Sequence, residues 1–529
     1  MNDEKFFLRQ NVLMEPLLNQ WCVYPFLIPP TTAAMTIANV QVKVMKSFVM
    51  APNIHAEAIR NPAMRGGLFL DLPPKRVGEV KELLNRTLST QAQMIVLAGA
   101  IKSLNEMILA EAKGYCLEDL YEKVPKPLKG YVELFYDLNN TPGCRYLEGL
   151  LYRSPFYDVS LQAMALSLVT SDDRAFGLST PRFEDEQTLI MNIPFEHQGI
   201  DDLFAMRNTP RTFDYIKDRL SLDDRHDEKF KKLLTGEPPR KSSRYEGDSI
   251  RIRYFNHACL LIETRDVSIL TDPIVSYEYP VDLPRYTYSD LPDVINYALI
   301  SHGHGDHLLL ETLIQLRHKI ETILVPRTGG GNLEDPSLKL ILQNIGFNNV
   351  IEIDEMESLR IQGGSITGLP FLGEHADLNV RGKIAYLIRL LDKSILCAAD
   401  SRNVEFELYE KVHQIIGDVD ALYLGMECDG APLMWLYGQF FSRPVKREDD
   451  QSRRLSGSDY IRAIDIVDKL HCKKVYVYAM GQEPWLHYLT SILYTDESKP
   501  IVESDKLVEA CRNRGIISER LFCTKEMFM

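Results

Sequence analysis

The chain has 529 residues, a formal charge of −14, 45% apolar residues and 25% charged residues. That length exceeds what one hydrophobic core fills, so two or three domains are expected. The composition is that of an ordinary soluble globular protein, and the acidic balance argues against nucleic acid or an anionic membrane as the main partner. Nine scattered cysteines, at positions 22, 116, 144, 259, 397, 428, 472, 511 and 523, form no C-x-x-C pair. Such a set points to reduced thiols in a cytoplasm. The start, Met1-Asn2-Asp3-Glu4-Lys5, has no basic region leading into an apolar one, so no secretory signal is read there. The most conspicuous apolar run, Met94 to Ile101, is too short to span a bilayer.

In chain order, residues 1–235 read as a mixed, mainly helical domain. Met35 to Met50 has apolar positions at helical spacing, and Arg76 to Lys113 reads as one long or broken helix with Leu83, Leu84, Leu88, Ile95, Leu97 and Leu104 as core positions. Thr188 to Pro194 reads as a strand. His55, His197 and His226 stand alone and are expected to be structural. Residues 236–248, beginning Gly236-Glu237-Pro238-Pro239-Arg240-Lys241-Ser242-Ser243-Arg244, have the composition of a linker.

From 249 to 529 the pattern changes to short strands alternating with helices. Ser249–Phe255, Cys259–Thr264 and Val267–Thr271 read as an antiparallel meander. Val294–Ser301, Thr322–Val325, Asn349–Ile353 and Ser365–Leu369 continue the series, followed by a hairpin across Asp392-Lys393 and strands at Ala421–Met426 and Lys474–Met480. Helices are expected at Leu308–His318, Ser458–Leu470 and Ser504–Arg514. This order suits a two-sheet sandwich flanked by helices, in the α/β (α+β) class.

The chemistry concentrates where the buried strand ends: Ser301-His302-Gly303-His304-Gly305-Asp306-His307. Imidazole and carboxylate are the usual ligands of catalytic Zn, Fe or Mn, and four of them in six positions fit two metals better than one. His302 and His304 share parity, and the glycines let the chain turn so that Asp306 and His307, opening a helix, reach a second ion. Asp400 follows the apolar strand Ile395-Leu396-Cys397-Ala398-Ala399, where a carboxylate is costly unless it is paired or metal-bound. It is the bridging candidate. In Gly373-Glu374-His375, an extended backbone would point Glu374 and His375 to opposite sides, so one of the two is the expected ligand, and chemistry alone does not say which.

The His302-x-His304-x-Asp306-His307 motif, Asp272 in Leu270-Thr271-Asp272-Pro273 and the later Asp400 resemble the metallo-β-lactamase superfamily, which implies an αββα sandwich with two metals at the sheet edge. The N-terminal text resembles a narrower group. Gln10-Asn11-Val12, Pro16-Leu17, Leu27-Ile28-Pro29-Pro30-Thr31-Thr32-Ala33-Ala34, Asn61-Pro62-Ala63-Met64 and the Gly-Glu-His element are similar to the chloramphenicol-pathway β-hydroxylase family. The resemblance implies a non-haem diiron oxygenase with an oxo- or hydroxo-bridged pair of Fe ions. Its substrate would be an aminoacyl thioester on the carrier protein of a nonribosomal peptide synthetase, hydroxylated with dioxygen and an external electron donor by a homodimer whose N-terminal domain dimerises the protein or gates the substrate.

Carried over, Glu374 is the ligand and His375 faces away. The metal set is then His302, His304, Asp306, His307, Glu374 and Asp400. A carboxylate in place of a histidine suits iron in higher oxidation states. His487 is the placed candidate for the last histidine of hydrolytic relatives, His257 is expected to support the ligands, and Asp272 is expected to orient a ligand imidazole. Glu427, Asp429, Trp435 and Tyr437 are candidate pocket residues. Arg240, Lys241 and Arg244, or Lys446-Arg447 with Arg453-Arg454, are candidate docking cations for an acidic carrier. No dinucleotide fingerprint or cysteine cluster is present, so the electrons come from outside. The alternative is a dinuclear Zn or Mn hydrolase of a phosphodiester, thioester or lactone, and a third reading is an inactive binding subunit.

Overall fold

A computed structural model describes residues 4–240, 242 and 244–529. Lys241, one of the candidate docking cations, lies outside the described residues.

Residues from Arg251 onward build two seven-stranded sheets packed face to face. In the first the order is Val350–Ile353, Ile320–Pro326, Ile295–Leu299, Ser268–Thr271, Cys259–Glu263, Arg251–Asn256, Lys525–Phe528. The second runs Ser358–Ile361, Gly364–Leu369, Ala385–Leu390, Lys393–Cys397, Ala421–Gly425, Lys474–Tyr478, Ile517–Arg520. Each sheet has an antiparallel half and a parallel half. The expected meander is antiparallel, and the hairpin turns across Leu391 and Asp392, both at positive φ.

Strand periodicity explains the layering. Leu299 points into the inter-sheet core with Ile252, Tyr254, Ile262, Tyr386, Ile395 and Tyr423, while its neighbours Ala298 and Ile300 point the other way, onto helix Leu310–Leu316. The outer face of the second sheet is covered by helices Glu407–Ile416, Tyr460–Lys469 and Lys499–Asn513 through Leu422, Val475, Val412, Ile466 and Leu507. The result is the metallo-β-lactamase αββα sandwich.

Residues 4–235 are mixed and mainly helical, as the sequence suggests. A four-stranded antiparallel sheet, Trp21–Cys22, Val12–Leu18, Gln162–Leu168, Leu189–Asn192, sits against the sandwich. Its first two members carry no clean alternation, because Val12–Leu18 is buried on both faces. The expected long helix is two, Val77–Thr90 and Ala92–Glu111, broken at Gln91. Leu83, Leu84, Leu97 and Leu104 are buried as expected. Leu88 is exposed, because the core-facing stripe runs through Val80, Leu83, Leu84 and Thr87 and leaves it at the edge, and Ile95 is half-buried. The run Met94–Ile101 belongs to a helix that is, by length and composition, apolar enough to cross a membrane. Here it buries Leu97, Ala98, Ile101 and Leu104 against Phe26, Met35 and Leu128. His55 accepts from Leu70 N–H and His197 caps its helix at Gly199 N–H, both structural tasks.

A buried ion network joins this part to the sandwich. Arg182 grips Glu15 with both ends of its guanidinium (2.9 Å each), and Arg174 bridges Glu15 (3.0 Å) and Glu311 (2.8 Å). Tyr277 donates its hydroxyl to Glu311 (2.8 Å), and Arg174 lies over the Tyr488 ring at 3.8 Å. Burial opposes ionisation of Glu15, but the two guanidiniums outweigh it and hold its carboxyl at about 2. A depressed folded pKa stabilises the fold at pH values above the unfolded value and loses that effect as pH falls through the folded one. Glu15 is therefore expected to contribute about 3 kcal/mol that disappears between about pH 4.5 and pH 2, from about 1.4 kcal/mol per pKa unit. Denaturant midpoints measured across that window check it; a flat profile would contradict it.

Candidate metal centre

The site lies where the parallel halves of both sheets end. After Leu299 the chain stays extended through Ser301. His302 bridges to Lys383, and Ile384 N–H donates to Ser301 O (2.8 Å), so the motif is stitched to the opposite sheet. Residues 303–309 form a tight turn, with the N–H groups of His307 and Leu308 both donating to His304 O (3.1 and 2.8 Å). The helix begins at Leu310, so Asp306 and His307 lie in the turn before it rather than opening it.

His302, His304, Glu374 and His375 present ligand atoms within 4.8 Å of one another, as do His257, Asp306 and His307, and likewise His302, His307 and Asp400. The last set takes one histidine from each of the other two, which puts Asp400 between them. Glu374 Oε1 is 2.8 Å from His304 Nδ1, and its Oε2 is 3.8 Å from His302 Nε2. Asp400 Oδ2 is 3.0 Å from His307 Nε2. His302 Nε2 and Asp400 Oδ1 are buried with no hydrogen-bond partner, and Glu374 Oε2 meets only imidazole nitrogens. Orphaned polar atoms of this kind cost free energy unless something meets them, and two of them, one from each sheet, among clustered imidazoles and carboxylates fit a pair of metal ions. Burial disfavours the Glu374 anion, but His304, His375 and His302 outweigh it and keep the carboxyl well below the usual range. Asp400 is the opposite case, raised chiefly by burial.

The surrounding hydrogen bonds decide which ring nitrogen faces inward. Asp272 Oδ2 lies 2.9 Å from His307 Nδ1 and accepts from Ser301 Oγ (2.7 Å), which in turn lies 3.0 Å from His302 Nδ1. Both imidazoles thus carry their proton on Nδ1 and aim Nε2 at the site. Tyr437 Oη sits 3.0 Å from His304 Nε2, leaving Nδ1 of that ring to face Glu374. Asp272 itself is held at φ +33° and also accepts from Ser301 N–H (2.7 Å), so its placement is enforced by the backbone. Asp272→Asn is expected to weaken metal retention by about 10- to 100-fold while the fold persists, measured by competition with a chelator. Unchanged affinity would remove Asp272 from this role.

Three expectations need correction. His375 does not face away: its Nδ1 is 2.8 Å from Glu374 Oε2 and its ring lies 4.5 Å from that of His304. The extended-backbone argument fails because Gly373, Glu374, Ala376 and Asp377 all take positive φ, so the segment is a tight turn and both side chains reach the site. His487 is half-buried in the short helix His487–Thr490 and joins none of the donor groups. The cations of the docking reading are largely committed to local contacts. Arg240 pairs with Asp290, Arg244 donates to Arg265 O, Arg453 to Ala376 O, and Arg454 lies against Asp429.

His257 has Nε2 3.2 Å from His307 Nε2 and 3.4 Å from Asp306 Oδ2, close enough to hold Asp306 in place. Gly425 packs so tightly on Asp400 that a Cβ would lie 2.5 Å from Oδ1, so no other residue fits beside that carboxylate.

A cavity of about 420 Å³ opens on the donors His304, Asp306, Glu374 and Asp400. Glu427, Asp429 and Trp435 line it as the sequence suggested, whereas Tyr437 sits behind it on His304. Tyr24 and Leu178, from the N-terminal part, and Leu489, Leu493 and Lys499 also line it. The first two had no sequence signal, because only the packing of the two parts brings them there.

The N-terminal residues 7–238 match the family model described as the diiron non-heme beta-hydroxylase N-terminal domain, and residues 251–423 match a beta-lactamase superfamily domain. The 4-amino-L-phenylalanyl-[CmlP-peptidyl-carrier-protein] 3-hydroxylase of Streptomyces venezuelae is 37% identical over 526 residues, 98% of each chain. The chain belongs to this diiron β-hydroxylase family. The crystal structure of CmlA, a diiron beta-hydroxylase from Streptomyces venezuelae, superposes with a TM-score of 0.93 at 35% identity, covering all of both chains. This β-hydroxylase is therefore an enzyme with two iron ions as its cofactor, and the donor set above fits them.

Proposed function

We propose that this β-hydroxylase places a hydroxyl group on the β-carbon of an aminoacyl group held as a thioester on a carrier protein. The observation that carries the reading is identity of 37% sustained over 98% of both chains with an enzyme of that activity. His302, His304 and Glu374 would hold one iron and Asp306 and His307 the other, with Asp400, whose donor atom groups with His302 and His307, completing the set.

A bound, reduced pair of irons would supply the activation of dioxygen for the overall reaction, in which one oxygen atom enters the C–H bond and the other leaves as water with two electrons and two protons from outside the chain. The protein's own residues do the rest. Asp272, Ser301 and Tyr437 fix the ring orientations of His307, His302 and His304. Glu374 supplies a hard anionic donor where hydrolytic relatives use a neutral imidazole, which favours iron as its oxidation state rises and disfavours a zinc hydrolase. Tyr24 and Leu178 close one wall of the cavity, which supports a gating role for residues 1–235, with 236–248 as the linker to 249–529. The nine free cysteines support a cytoplasmic location.

The test is single-turnover incubation of the reduced iron enzyme with an aminoacyl-charged carrier under ¹⁸O₂. A mass gain of one ¹⁸O atom on the β-carbon is expected. Release of free amino acid without oxygen incorporation would favour a thioesterase instead.

A further inference from the structure

Glu427 stands two residues beyond the strand Ala421–Gly425, at the end of the second sheet where Asp400 also emerges. Its backbone is pinned, since Gly457 N–H donates to its carbonyl (2.7 Å). Its side chain lines the same cavity as His304, Asp306, Glu374 and Asp400. Oε1 accepts from Asp429 N–H (3.0 Å), while Oε2 is buried and bonded to nothing. The other carboxylates of the cavity are accounted for. Glu374, Asp400 and Asp306 belong to the metal set, and Asp429 faces Arg454 at 3.5 Å. Burial, with Asp429 and Asp400 nearby, pushes the Glu427 carboxyl up to about 8, as expected of an anion without its counter-ion. Among the described residues, no cationic side chain forms an ion pair with it. Lys499 also lines the cavity but forms no ion pair with Glu427, and most of the remaining wall is apolar, with Tyr24, Trp435, Leu436, Leu489 and Leu493.

We infer that Glu427 is the counter-ion for the α-ammonium group of the carrier-bound aminoacyl substrate, and that it positions the β-carbon for hydroxylation. The inference rests on the aminoacyl-carrier reading above. A carrier-bound amino acid enters with its carboxyl group consumed in the thioester, so its α-ammonium is the one charge it always brings. That nitrogen is only about 2.5 Å from the β-carbon, being separated by two bonds of ordinary length. Fixing the nitrogen therefore fixes the carbon that reacts, whatever side chain the apolar wall accepts. A buried carboxylate aimed at that nitrogen also rejects acyl groups that lack it, because it would then be left unpaired.

The experiment compares two carriers that differ only in the amine. A carrier protein is charged with L-phenylalanine, L-tyrosine, L-leucine or L-histidine; the thioester that the wild-type iron enzyme hydroxylates best is then paired with its des-amino counterpart. Kd is measured without oxygen for wild type and Glu427→Gln, and kcat/KM is measured with oxygen. Wild type is expected to prefer the amine-bearing carrier by about 10- to 100-fold in Kd, the range of a charge-assisted contact. The variant should bring that ratio to within about threefold while keeping its iron content and optical spectrum. Glu427→Asp should retain part of the preference. Equal wild-type affinity for the two carriers, or an undiminished ratio in Glu427→Gln, overturns the inference; the wild-type comparison decides even if the Gln variant does not fold. Hydroxylation of none of the charged carriers by wild type would instead sink the aminoacyl reading itself.

Discussion

Replacing Glu374 by Ala is expected to abolish hydroxylation and to lower bound iron below two per chain. Glu374 is the anionic donor of the set that includes His302 and His304, with Oε1 at 2.8 Å from His304 Nδ1. The supporting partners of metal ligands typically cost about 10- to 100-fold when lost, so loss of the ligand itself should exceed that. Removing its charge also leaves the buried rings of His304, His375 and His302 without the anion they face. Glu374→His is the sharper variant, since it restores the donor used by hydrolytic relatives. It is expected to keep two metal ions, shift preference toward zinc and lose oxygen insertion. Iron content by mass spectrometry, together with the product assay, checks both; wild-type activity in either variant would remove Glu374 from the ligand set.

The second large effect lies away from the metals. Arg174→Ala is expected to destabilise the fold by about 3–5 kcal/mol, the cost of removing one partner from a buried ion cluster. Arg174 meets Glu15 and Glu311 and covers the ring of Tyr488, and its loss leaves Glu311 with only the Tyr277 hydroxyl. Tyr488 adjoins Leu489 and Thr490 in the cavity wall, so turnover should fall along with stability. Urea unfolding followed by circular dichroism measures the first effect. A change under about 1 kcal/mol, the usual size of an exposed pair, would show that the network is dispensable.

Much of the metal centre could be read from residue order because its chemistry is local. His302 to His307 fall within one turn, and Asp400 betrays itself as a carboxylate at the end of an apolar strand. Strands with a buried run or alternating pattern, such as Ile295–Leu299 and Lys393–Cys397, were equally legible. What was not legible depends on backbone conformations with no periodic signature. The positive-φ turn at Gly373–Asp377 brings His375 to the site against an extended-chain expectation. Ser358–Ile361, Ile517–Arg520 and Lys525–Phe528 are short edge strands, half-exposed and without a strong pattern. The N-terminal sheet escaped because Val12–Leu18 is buried on both faces, and because its partner Gln162–Leu168 lies about 150 residues away, a pairing that local periodicity does not encode. Tyr24 and Leu178 in the cavity, and the Glu15–Arg174–Glu311 bridge, arise from the same long-range packing.

The most direct test of the account is metal content and optical spectrum of the chain produced in iron-rich medium. Two irons per chain are expected, with near-ultraviolet absorption of a bridged ferric pair that bleaches on reduction and returns in air. A colourless protein retaining two zinc ions while iron is plentiful would contradict the diiron assignment and, with it, the role given to Glu374.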